Sequence, residues 1–240
     1  MILYFIRHGD PIYETNSLTE IGKKQADALA KRLSLYGLDE IYSSTSQRAI
    51  LTATPTSKIL NKEIKYLDWT NEDYTWRELT VKKGDGITWL GQSEEYIDKL
   101  NSKEVKELGF EWYKHEYFKD YNFEEGIKRV EREADAFLES LGYKHNRTIS
   151  GYQAINPNNK KIALFAHQGF GWAFLASILD IPYPYFATHF DLGHSSVTVI
   201  HFNDKGINDS IVYPVVLQLS NDSHLYKEDI LTGYQNKIDI

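Results

Sequence analysis

Short apolar runs recur along the chain and predict the strands of a buried sheet. These runs lie at residues 2–7, 40–44, 64–69, 161–167, 195–202 and 211–219. They are rich in the β-branched and aromatic residues that are typical of strands. Turn residues at 204–206 separate the last two runs, so we expect these two strands to form an antiparallel pair at one edge of the sheet.

Segments with helical spacing of apolar residues follow several of these runs. Residues 18–37 and 46–60 each carry an apolar face of helical period, although Pro55 is expected to kink or interrupt the second helix. Residues 169–182 predict a further helix that stops at Pro182. Because strands and helices alternate at both ends of the chain, the pattern predicts a three-layer α/β/α fold with a mixed, mostly parallel central sheet.

The middle of the chain has a different pattern of apolar and charged residues. Residues 89–142 are charged, aromatic and helical in pattern, and the strongest amphipathic helix covers 124–141. Irregular structure is expected at 71–86 and a loop at 145–160. We therefore predict a helical insertion at about 70–150 that caps a pocket.

Composition narrows the classes of partner. The chain is long enough for a sizeable core, and we expect residues 1–240 to form a single domain. The net charge is −7 and no run of lysine or arginine occurs, which argues against nucleic acid and acidic membranes as partners. No window of about 18 apolar residues is present, so no membrane span is expected. The absence of cysteine excludes disulfides, thiolate metal ligands and a cysteine nucleophile, and it fits a cytoplasmic protein.

Side chains suited to binding an anion follow four of the predicted strands. These are Arg7 and His8 after the first strand, Arg48 beyond the second, Glu72 after the third and His167 at the end of the fourth. Because ligands gather at the carboxyl ends of strands in open α/β sheets, we expect these side chains to meet. Arginines and histidines packed together repel one another unless an anion neutralises them, and a phosphoryl group does so with paired hydrogen bonds.

His8 has the chemistry of a nucleophile in such a cluster. A neutral imidazole attacks phosphorus near neutral pH, because its reference pKa is about 6.5. Positive neighbours lower that pKa further and stabilise the negative charge of the transferring phosphoryl group. The pairing of Arg7 with His8 therefore predicts a phosphohistidine intermediate.

Four stretches of the sequence resemble the histidine phosphatase superfamily, which includes the cofactor-dependent phosphoglycerate mutases. They are RHG at the end of the first strand, SLTEIGKKQADALAKRL, IYSSTSQRAILTA and IALFAHQGFGWAFLASILDIP. The resemblance covers roughly residues 1–60 and 160–202. Within the superfamily, the chain is similar to the phosphoglycerate mutase-like branch. It implies catalysis on a small phosphorylated molecule without a metal or an organic cofactor.

Carried onto this sequence, the resemblance implies roles for single residues. His8 would be the phosphorylated nucleophile, and the phosphoryl group would be bound by Arg7, Arg48 and His167. His167 would also take part in catalysis, together with an acid that protonates the leaving oxygen. Glu72 is our prediction for that acid.

Some positions leave alternatives open. Glu78 and Asp10 are further candidates for the acid, and Asn16 is a candidate match to a polar residue of the family's first loop. Gln168 stands where the family usually has glycine or aspartate after the second histidine. Because a glutamine cannot donate the proton that this aspartate supplies, the chain looks more like the mutase-related branch.

These observations predict a phosphomonoester phosphatase that acts on a small phosphorylated metabolite. A cofactor-dependent phosphoglycerate mutase and a non-catalytic module that binds a phosphorylated ligand stay open as alternatives. The remaining histidines are expected at the surface, in the core or at helix ends, although His194 and His224 could approach the pocket rim. Packing is expected of the aromatic residues Trp112, Tyr113, Tyr117 and Tyr121, with stacking on an aromatic substrate as the alternative. Neither the substrate nor the oligomeric state follows from the sequence.

Overall fold

The computed structural model describes residues 1–233 of the 240-residue chain. Its strands are β1 (Ile2–Arg7), β2 (Pro11–Ile12), β3 (Ser17–Leu18), β4 (Glu40–Ser43), β5 (Ile64–Tyr66), β6 (Thr80–Lys83), β7 (Gly86–Trp89), β8 (Tyr143–Asn146), β9 (Gly151–Ala154), β10 (Lys161–Ala166), β11 (Val197–His201), β12 (Ile211–Val212) and β13 (Val215–Asn221). Its helices are α1 (Glu20–Tyr36), α2 (Gln47–Leu60), α3 (Glu72–Glu78), α4 (Glu94–Asn101), α5 (Lys103–Glu107), α6 (Phe123–Ser140), α7 (Gln168–Ile178), α8 (Tyr183–His189) and α9 (Ser223–Tyr226). Short 3₁₀ turns cover Asp68–Thr70, Leu90–Gln92, Gly109–Lys114 and Glu116–Phe118.

The central sheet has the strand order β13-β11-β1-β10-β4-β5. Strands β1, β10, β4 and β5 pair in parallel, whereas β11 is antiparallel to both β1 and β13. This topology confirms the mixed, mostly parallel sheet and the antiparallel pair at its edge. The carboxyl ends of the parallel strands and the first residues of β11 therefore lie along one edge of the sheet.

Helices cover both faces of this sheet, as the α/β/α prediction requires. Within β1, Leu3 and Phe5 belong to one hydrophobic cluster, while Tyr4 and Ile6 belong to another. This alternation is the two-residue period of a strand that is buried on both faces. Helices α6 and α7 contribute to the first cluster, and α1 and α2 contribute to the second. No described helix combines the length and the apolar character that a membrane crossing needs.

The segment at 70–150 is helical in large part, but it also contains strands. Helix α6 confirms the amphipathic helix predicted at 124–141, and its buried side chains join the same cluster as Phe5. The irregular structure expected at 71–86 is wrong, because α3 lies there and the hairpin of β6 and β7 follows it. Helix α3 begins at a side-chain cap, in which the Asn71 side chain accepts the N–H of Asp73.

The loop predicted at 145–160 is also wrong. Strands β8 and β9 form an antiparallel pair in this region, and β12 extends it to three strands. Strand β12 is the first part of the strand predicted at 211–219, which divides before Pro214 and continues as β13. Proline cannot donate to a strand ladder, and pairing between segments far apart in the chain leaves no trace in local spacing.

Two helix predictions need correction at their prolines. Helix α2 runs through Pro55 without an interruption. The helix predicted at 169–182 ends earlier, at Ile178, and Pro182 instead precedes α8. Proline is tolerated at a helix start, because the N–H groups of the first turn have no partner within the helix.

Two glycines allow the first loop to approach the start of α1. Thr19 caps this helix by accepting the N–H of Gly22 at 3.0 Å, and its hydroxyl donates to the Asp10 carboxylate at 2.7 Å. A Cβ on Gly22 would lie 2.2 Å from the Asp10 carbonyl oxygen, and one on Gly9 would lie 2.7 Å from the Gly22 carbonyl oxygen. Because both oxygens belong to the backbone, neither position has room for a side chain. The contact fixes the backbone that follows His8.

We expect Gly22→Ala to destabilise the protein by about 2 kcal/mol, because the added methyl group must displace the first loop. The better helix propensity of alanine offsets at most about 1 kcal/mol of this cost. Gly86→Ala is the matched control, since the nearest atom to its added Cβ, the Lys83 carbonyl oxygen, is 3.8 Å away. Urea unfolding of both variants and of the wild type measures the difference, and equal stabilities of the two variants would contradict the close contact.

Candidate active site

The five side chains predicted at strand ends meet at the carboxyl edge of the central sheet. They are Arg7 at the end of β1, His8 after it, Arg48 in the first turn of α2, Glu72 at the start of α3 and His167 just before α7. All five side chains are buried. The ring centroids of His8 and His167 are 5.2 Å apart.

His8 presents one ring nitrogen, Nε2, to the interior of this cluster. Its Nδ1 lies 2.7 Å from the carbonyl oxygen of Gly9, which can only accept a hydrogen bond, so Nδ1 carries the ring proton. On the opposite side of the ring, Nε of Arg48 donates to Nε2 at 3.2 Å, which requires a lone pair on that nitrogen. Both contacts select the same tautomer, in which Nε2 is the nucleophilic atom.

Arg48 divides its donors among three groups. Besides the contact with His8, its Nη1 donates to Oδ1 of Asn16 at 2.9 Å and its Nη2 donates to Oε2 of Glu72 at 2.8 Å. The ring of Tyr13 lies over the guanidinium, with the centroid 5.5 Å from its central carbon. Asn16 adopts the left-handed backbone conformation, with φ of 49°. This side chain, a candidate from the sequence, is therefore positioned to orient the guanidinium.

His167 is fully buried and directs an unpartnered nitrogen at the site. Its Nε2 lies 2.8 Å from Oγ of Ser44, and that hydroxyl already accepts the N–H of Ser46 at 3.2 Å. When Ser44 donates its proton to Nε2, the ring proton resides on Nδ1. Within the described part of the chain Nδ1 has no hydrogen-bond partner, and it lies 3.6 Å from Oε2 of Glu72. Because a buried donor without a partner is costly, this atom is suited to an oxygen of a bound anion.

Arg7 is held by the segment that precedes β11. Its Nη1 donates to the Leu192 carbonyl oxygen at 2.5 Å, and its Nη2 donates to Nε2 of His194 at 2.7 Å. Its Nε finds no partner among residues 1–233. The second ring nitrogen of His194 lies 3.4 Å from the Asp10 carboxylate. Asp10 therefore supports His194, which in turn positions Arg7.

The three candidate acids have different surroundings. Glu72 lies inside the cluster, where its Oε1 accepts the N–H of Gly169 at 2.9 Å. Glu78 is instead paired with Arg129, which donates to both carboxylate oxygens at 2.7 and 2.6 Å. Asp10 is held by a threonine hydroxyl and faces a histidine ring. Glu72 is thus the candidate that lies within the cluster, and its role as the proton donor stays a prediction.

Burial gives the histidines of the site a low affinity for protons. Loss of hydration is the main cause that holds the pKa of His8 well below its ordinary value of 6.5, and nearby cationic groups add to it. Burial also lowers the pKa of His167 well below 6.5, with contributions from Arg48 and Arg7. Burial and the charge of Arg7 lower the pKa of His194 to about 3. The three rings are therefore neutral at pH 7, which keeps Nε2 of His8 nucleophilic.

Three of these groups are close enough to hold a metal ion, but their surroundings favour an anion. His8, Glu72 and His167 each offer one ligand atom, and these atoms lie within 4.8 Å of one another. The guanidinium of Arg48 contacts the first two groups. Its fixed positive charge repels a divalent cation at this position and attracts a phosphoryl group. That catalysis needs no metal stays a prediction.

A cavity of about 530 Å³ lies next to the cluster, and Arg7, Arg48 and Glu72 are the members of the cluster that line it. The other residues that line the cavity were not predicted as site residues. They are Tyr13, Asp73, Trp76, Thr88, Trp89, Gln92 and Gln168. Among them, Gln168 stood out in the sequence only as a departure from the family. Trp76 comes from α3, in the region predicted to be irregular, and Trp89 ends β7, where the sequence pattern predicted the start of the helical segment. Trp112, Tyr113 and Tyr121 instead pack in or against the core, as predicted. For Tyr117 the packing prediction is wrong, because this residue is 39% exposed.

A sequence model described as histidine phosphatase superfamily (branch 1) matches residues 3–210. The chain belongs to the histidine phosphatase superfamily. This confirms the family that the four motifs indicate, and the match extends through the middle segment, which shows no resemblance of its own. The roles of single residues in this superfamily member stay predictions.

Several proteins are similar to this histidine phosphatase superfamily member. Phosphoserine phosphatase 1 of Hydrogenobacter thermophilus is 29% identical over 133 residues, which are 55% of this chain and 56% of that protein. The chain thus matches little more than half the length of this relative. A phosphoserine phosphatase mutant from Entamoeba histolytica, in complex with phosphoserine, has a TM-score of 0.58 and 19% identity over 93% of this chain and 98% of that chain. A putative alpha-ribazole-5′-phosphate phosphatase from Escherichia coli has a TM-score of 0.58 and 18% identity over 92% of this chain and 97% of that chain. The two solved structures share the fold of the superfamily.

Sequence reasoning located His194 only near the pocket rim. This residue precedes β11, and because β11 runs antiparallel to β1, its first residues lie at the edge where the parallel strands end. The predicted antiparallel edge is therefore the signal that could have placed His194 beside Arg7. His224, the other histidine expected near the rim, instead contacts Oγ of Ser195 at 3.0 Å.

The neutral histidines predict a loss of stability in acid. Their pKa values are lower in the folded protein than in the unfolded chain, so below about pH 6.5 protons bind preferentially to the unfolded chain. When the pH falls from 7.5 to 5.5, we expect the unfolding free energy of His8→Gln to decrease by up to about 1.4 kcal/mol less than that of the wild type. Denaturant unfolding at both pH values measures this difference. Added phosphate is expected to reduce the loss of stability in the wild type at low pH, because a bound anion favours protonated rings. If the stabilities of the variant and the wild type depend on pH in the same way, His8 is not neutral in the folded protein.

Proposed function

We propose that this protein is a phosphomonoester phosphatase that transfers a phosphoryl group first to Nε2 of His8 and then to water. The observation that carries the proposal is the lone pair of Nε2, which lies among donors of Arg48 and beside the unpartnered Nδ1 of His167. An imidazole in this setting attacks phosphorus, while the surrounding donors stabilise the charge on the phosphoryl oxygens. Membership of the superfamily and a relative named as a phosphatase support the same reaction.

Binding of the substrate replaces contacts that the site makes within itself. The Nε and Nη2 donors of Arg48, which contact His8 and Glu72 in the free site, turn to two phosphoryl oxygens. The Nε of Arg7 and the Nδ1 of His167 are unpartnered among the described residues and supply further donors. A dianionic phosphoryl group satisfies all of these donors at once.

In the first step, Nε2 of His8 forms a bond to phosphorus as the bond between phosphorus and the leaving oxygen breaks. Glu72 gives a proton to that oxygen, so the alcohol leaves in its neutral form. In the free site Glu72 is paired with Arg48, but the bound phosphoryl group takes over this guanidinium and brings negative charge next to the carboxylate.

In the second step, a water molecule attacks the phosphohistidine. Glu72, now ionised, accepts a proton from the water as the new oxygen–phosphorus bond forms and the bond between phosphorus and Nε2 breaks. Inorganic phosphate leaves with the water oxygen. The Gly9 carbonyl keeps the ring proton on Nδ1 of His8, so the starting tautomer is restored. The cycle uses no metal and no organic cofactor, as the family resemblance implies.

The proposed substrate is a small phosphorylated metabolite. The names of relatives that act on phosphoserine and alpha-ribazole phosphate support this class. The segment at 70–150 supplies Glu72, Trp76 and Trp89 to the cavity, which supports its role as a cap within one domain. A cytoplasmic location, favoured by the absence of cysteine, belongs to the same proposal.

Replacement of His8 is expected to abolish turnover. We expect His8→Ala to lower kcat/KM for p-nitrophenyl phosphate by about 10³-fold or more, because the nucleophile is lost. Wild-type protein quenched during turnover is expected to carry a phosphoryl group that is labile in acid and stable in base. His189→Ala, at an exposed position of α8, is the matched control. Retained activity in His8→Ala would rule out this nucleophile, whereas isomerisation of 3-phosphoglycerate without phosphate release would indicate a mutase.

Glu72 is expected to matter most for esters whose leaving alcohol needs a proton. We expect Glu72→Gln to lower kcat/KM about 10²-fold or more for an alkyl phosphate, and much less for 2,4-dinitrophenyl phosphate, whose phenolate leaves unprotonated. Glu78→Gln is the matched control, because it breaks the ion pair with Arg129 and is expected to lower stability without changing the ratio of the two rates. Phosphate-release assays on both esters give this ratio. An equal loss on both esters in Glu72→Gln would exclude Glu72 as the proton donor.

A further inference from the structure

The part of the cavity beyond the phosphoryl site must hold the leaving alcohol. Trp76 and Trp89 form a wall of this region and meet edge to face, with ring centroids 4.8 Å apart and an angle of 82° between the planes. Tyr13 lines the same cavity. Aromatic faces of this kind bind flat or ring-shaped groups through apolar contact.

The aromatic wall is fixed where it approaches the catalytic groups. Trp89 lies so close to Gly169 that a Cβ on this glycine would be 2.3 Å from the indole ring. The N–H of Gly169 also donates to Oε1 of Glu72 at 2.9 Å. Trp89 packs edge to face on the buried Trp172, with ring centroids 6.2 Å apart. Gly169 thus contacts both Trp89 of the wall and Glu72, the proposed proton donor. The leaving oxygen must lie close to Glu72 and therefore close to the wall.

The charges of the cavity oppose a second anionic group on the substrate. Among the described residues that line it, Arg7 and Arg48 are the sole cations, and both are proposed to bind the phosphoryl group. Asp73, an exposed residue of α3, adds a second carboxylate to that of Glu72 in the lining. Arg77, the other cation of α3, donates to the Asp73 backbone carbonyl at 3.0 Å and lies over the ring of Tyr74. Arg77 is not among the residues that line the cavity.

Building on the proposed function, we infer that the substrate is the phosphate monoester of a neutral or cationic alcohol that carries a ring, with the ring packed on Trp76 and Trp89. A carboxylate or second phosphate on the alcohol would approach the carboxylates of Asp73 and Glu72 without a further cation of the lining to pair with, and like charges repel. The site therefore disfavours phosphoserine and 3-phosphoglycerate, although a similar structure is a complex with phosphoserine. Sugars and aryl groups share the flat apolar face that the wall recognises.

Esters that differ by a single carboxylate test the charge of the cavity. We expect kcat/KM to be about tenfold higher for O-phosphoethanolamine than for O-phosphoserine, and for phenyl phosphate than for 4-carboxyphenyl phosphate. The value of a ring is measured with benzyl phosphate and glucose 6-phosphate against ethyl phosphate. Both ring-bearing esters are expected to exceed ethyl phosphate, and the better of the two identifies the kind of ring.

Two variants locate these preferences in the wall. Asp73→Asn is expected to raise kcat/KM for 4-carboxyphenyl phosphate about fivefold relative to phenyl phosphate, whereas Asp98→Asn, at an exposed position of α4, leaves this ratio unchanged. Trp76→Leu is expected to lower kcat/KM for benzyl phosphate about tenfold relative to ethyl phosphate, whereas Tyr226→Leu, at a position 88% exposed, does not. Each readout is a ratio within one variant, so a smaller folded fraction cancels.

The outcomes separate this inference from the proposed function. If the carboxylate-bearing member of either pair is hydrolysed as fast as its neutral partner or faster, and His8→Ala is inactive on it, the inference on the leaving group is overturned while the phosphatase proposal stands. If folded wild-type protein hydrolyses none of these esters, the phosphatase proposal itself fails and the inference falls with it.

Discussion

A buried excess of positive charge governs this site. Arg7 and Arg48 lie within one cluster in which Glu72 is the carboxylate that accepts directly from a guanidinium, and the histidines are neutral. These groups therefore carry a net charge of about +1 in a largely buried cluster beside the cavity. The same excess that repels protons from His8 also attracts a dianionic phosphoryl group. In the proposed reaction, binding of the dianion offsets this charge and reverses the sign of the net charge of the cluster.

Helix α2 fixes Arg48 relative to the backbone beside His8, the proposed nucleophile. Thr52 lies one turn after Arg48 on α2, and its hydroxyl accepts the N–H of Gly9 at 2.9 Å. The same hydroxyl donates to the Arg48 carbonyl oxygen at 2.8 Å. The backbone next to His8 is thus bound to the helix that carries the guanidinium. The four-residue spacing of arginine and threonine in the sequence is a geometric requirement of this contact.

The placement of the site could be predicted where local pattern and sheet topology agree. Arg7, His8 and His167 follow strands whose apolar runs are unambiguous, and the common edge of a parallel sheet brings them together. The limits of prediction appear where pairing is distant in the chain. Strand β12 pairs with β9 across a long connection, and α3 is a short helix whose buried positions are few. Trp76 and Trp89 could not be assigned to the cavity, because α3 and β7 are too short to show a helical or strand period in the sequence.

Helix α3 joins the chemistry of the site to the choice of substrate. Glu72 and Trp76 are four residues apart, so they lie on the same face of this helix, and both line the cavity. In the proposed mode of binding, an alcohol whose ring packs on Trp76 places its ester oxygen near the carboxyl group of Glu72. An alcohol that cannot make this contact loses the alignment with the acid as well as the contact itself. Binding energy from the non-reacting part of the substrate is then used in the transition state, so discrimination between substrates appears in kcat as well as in KM.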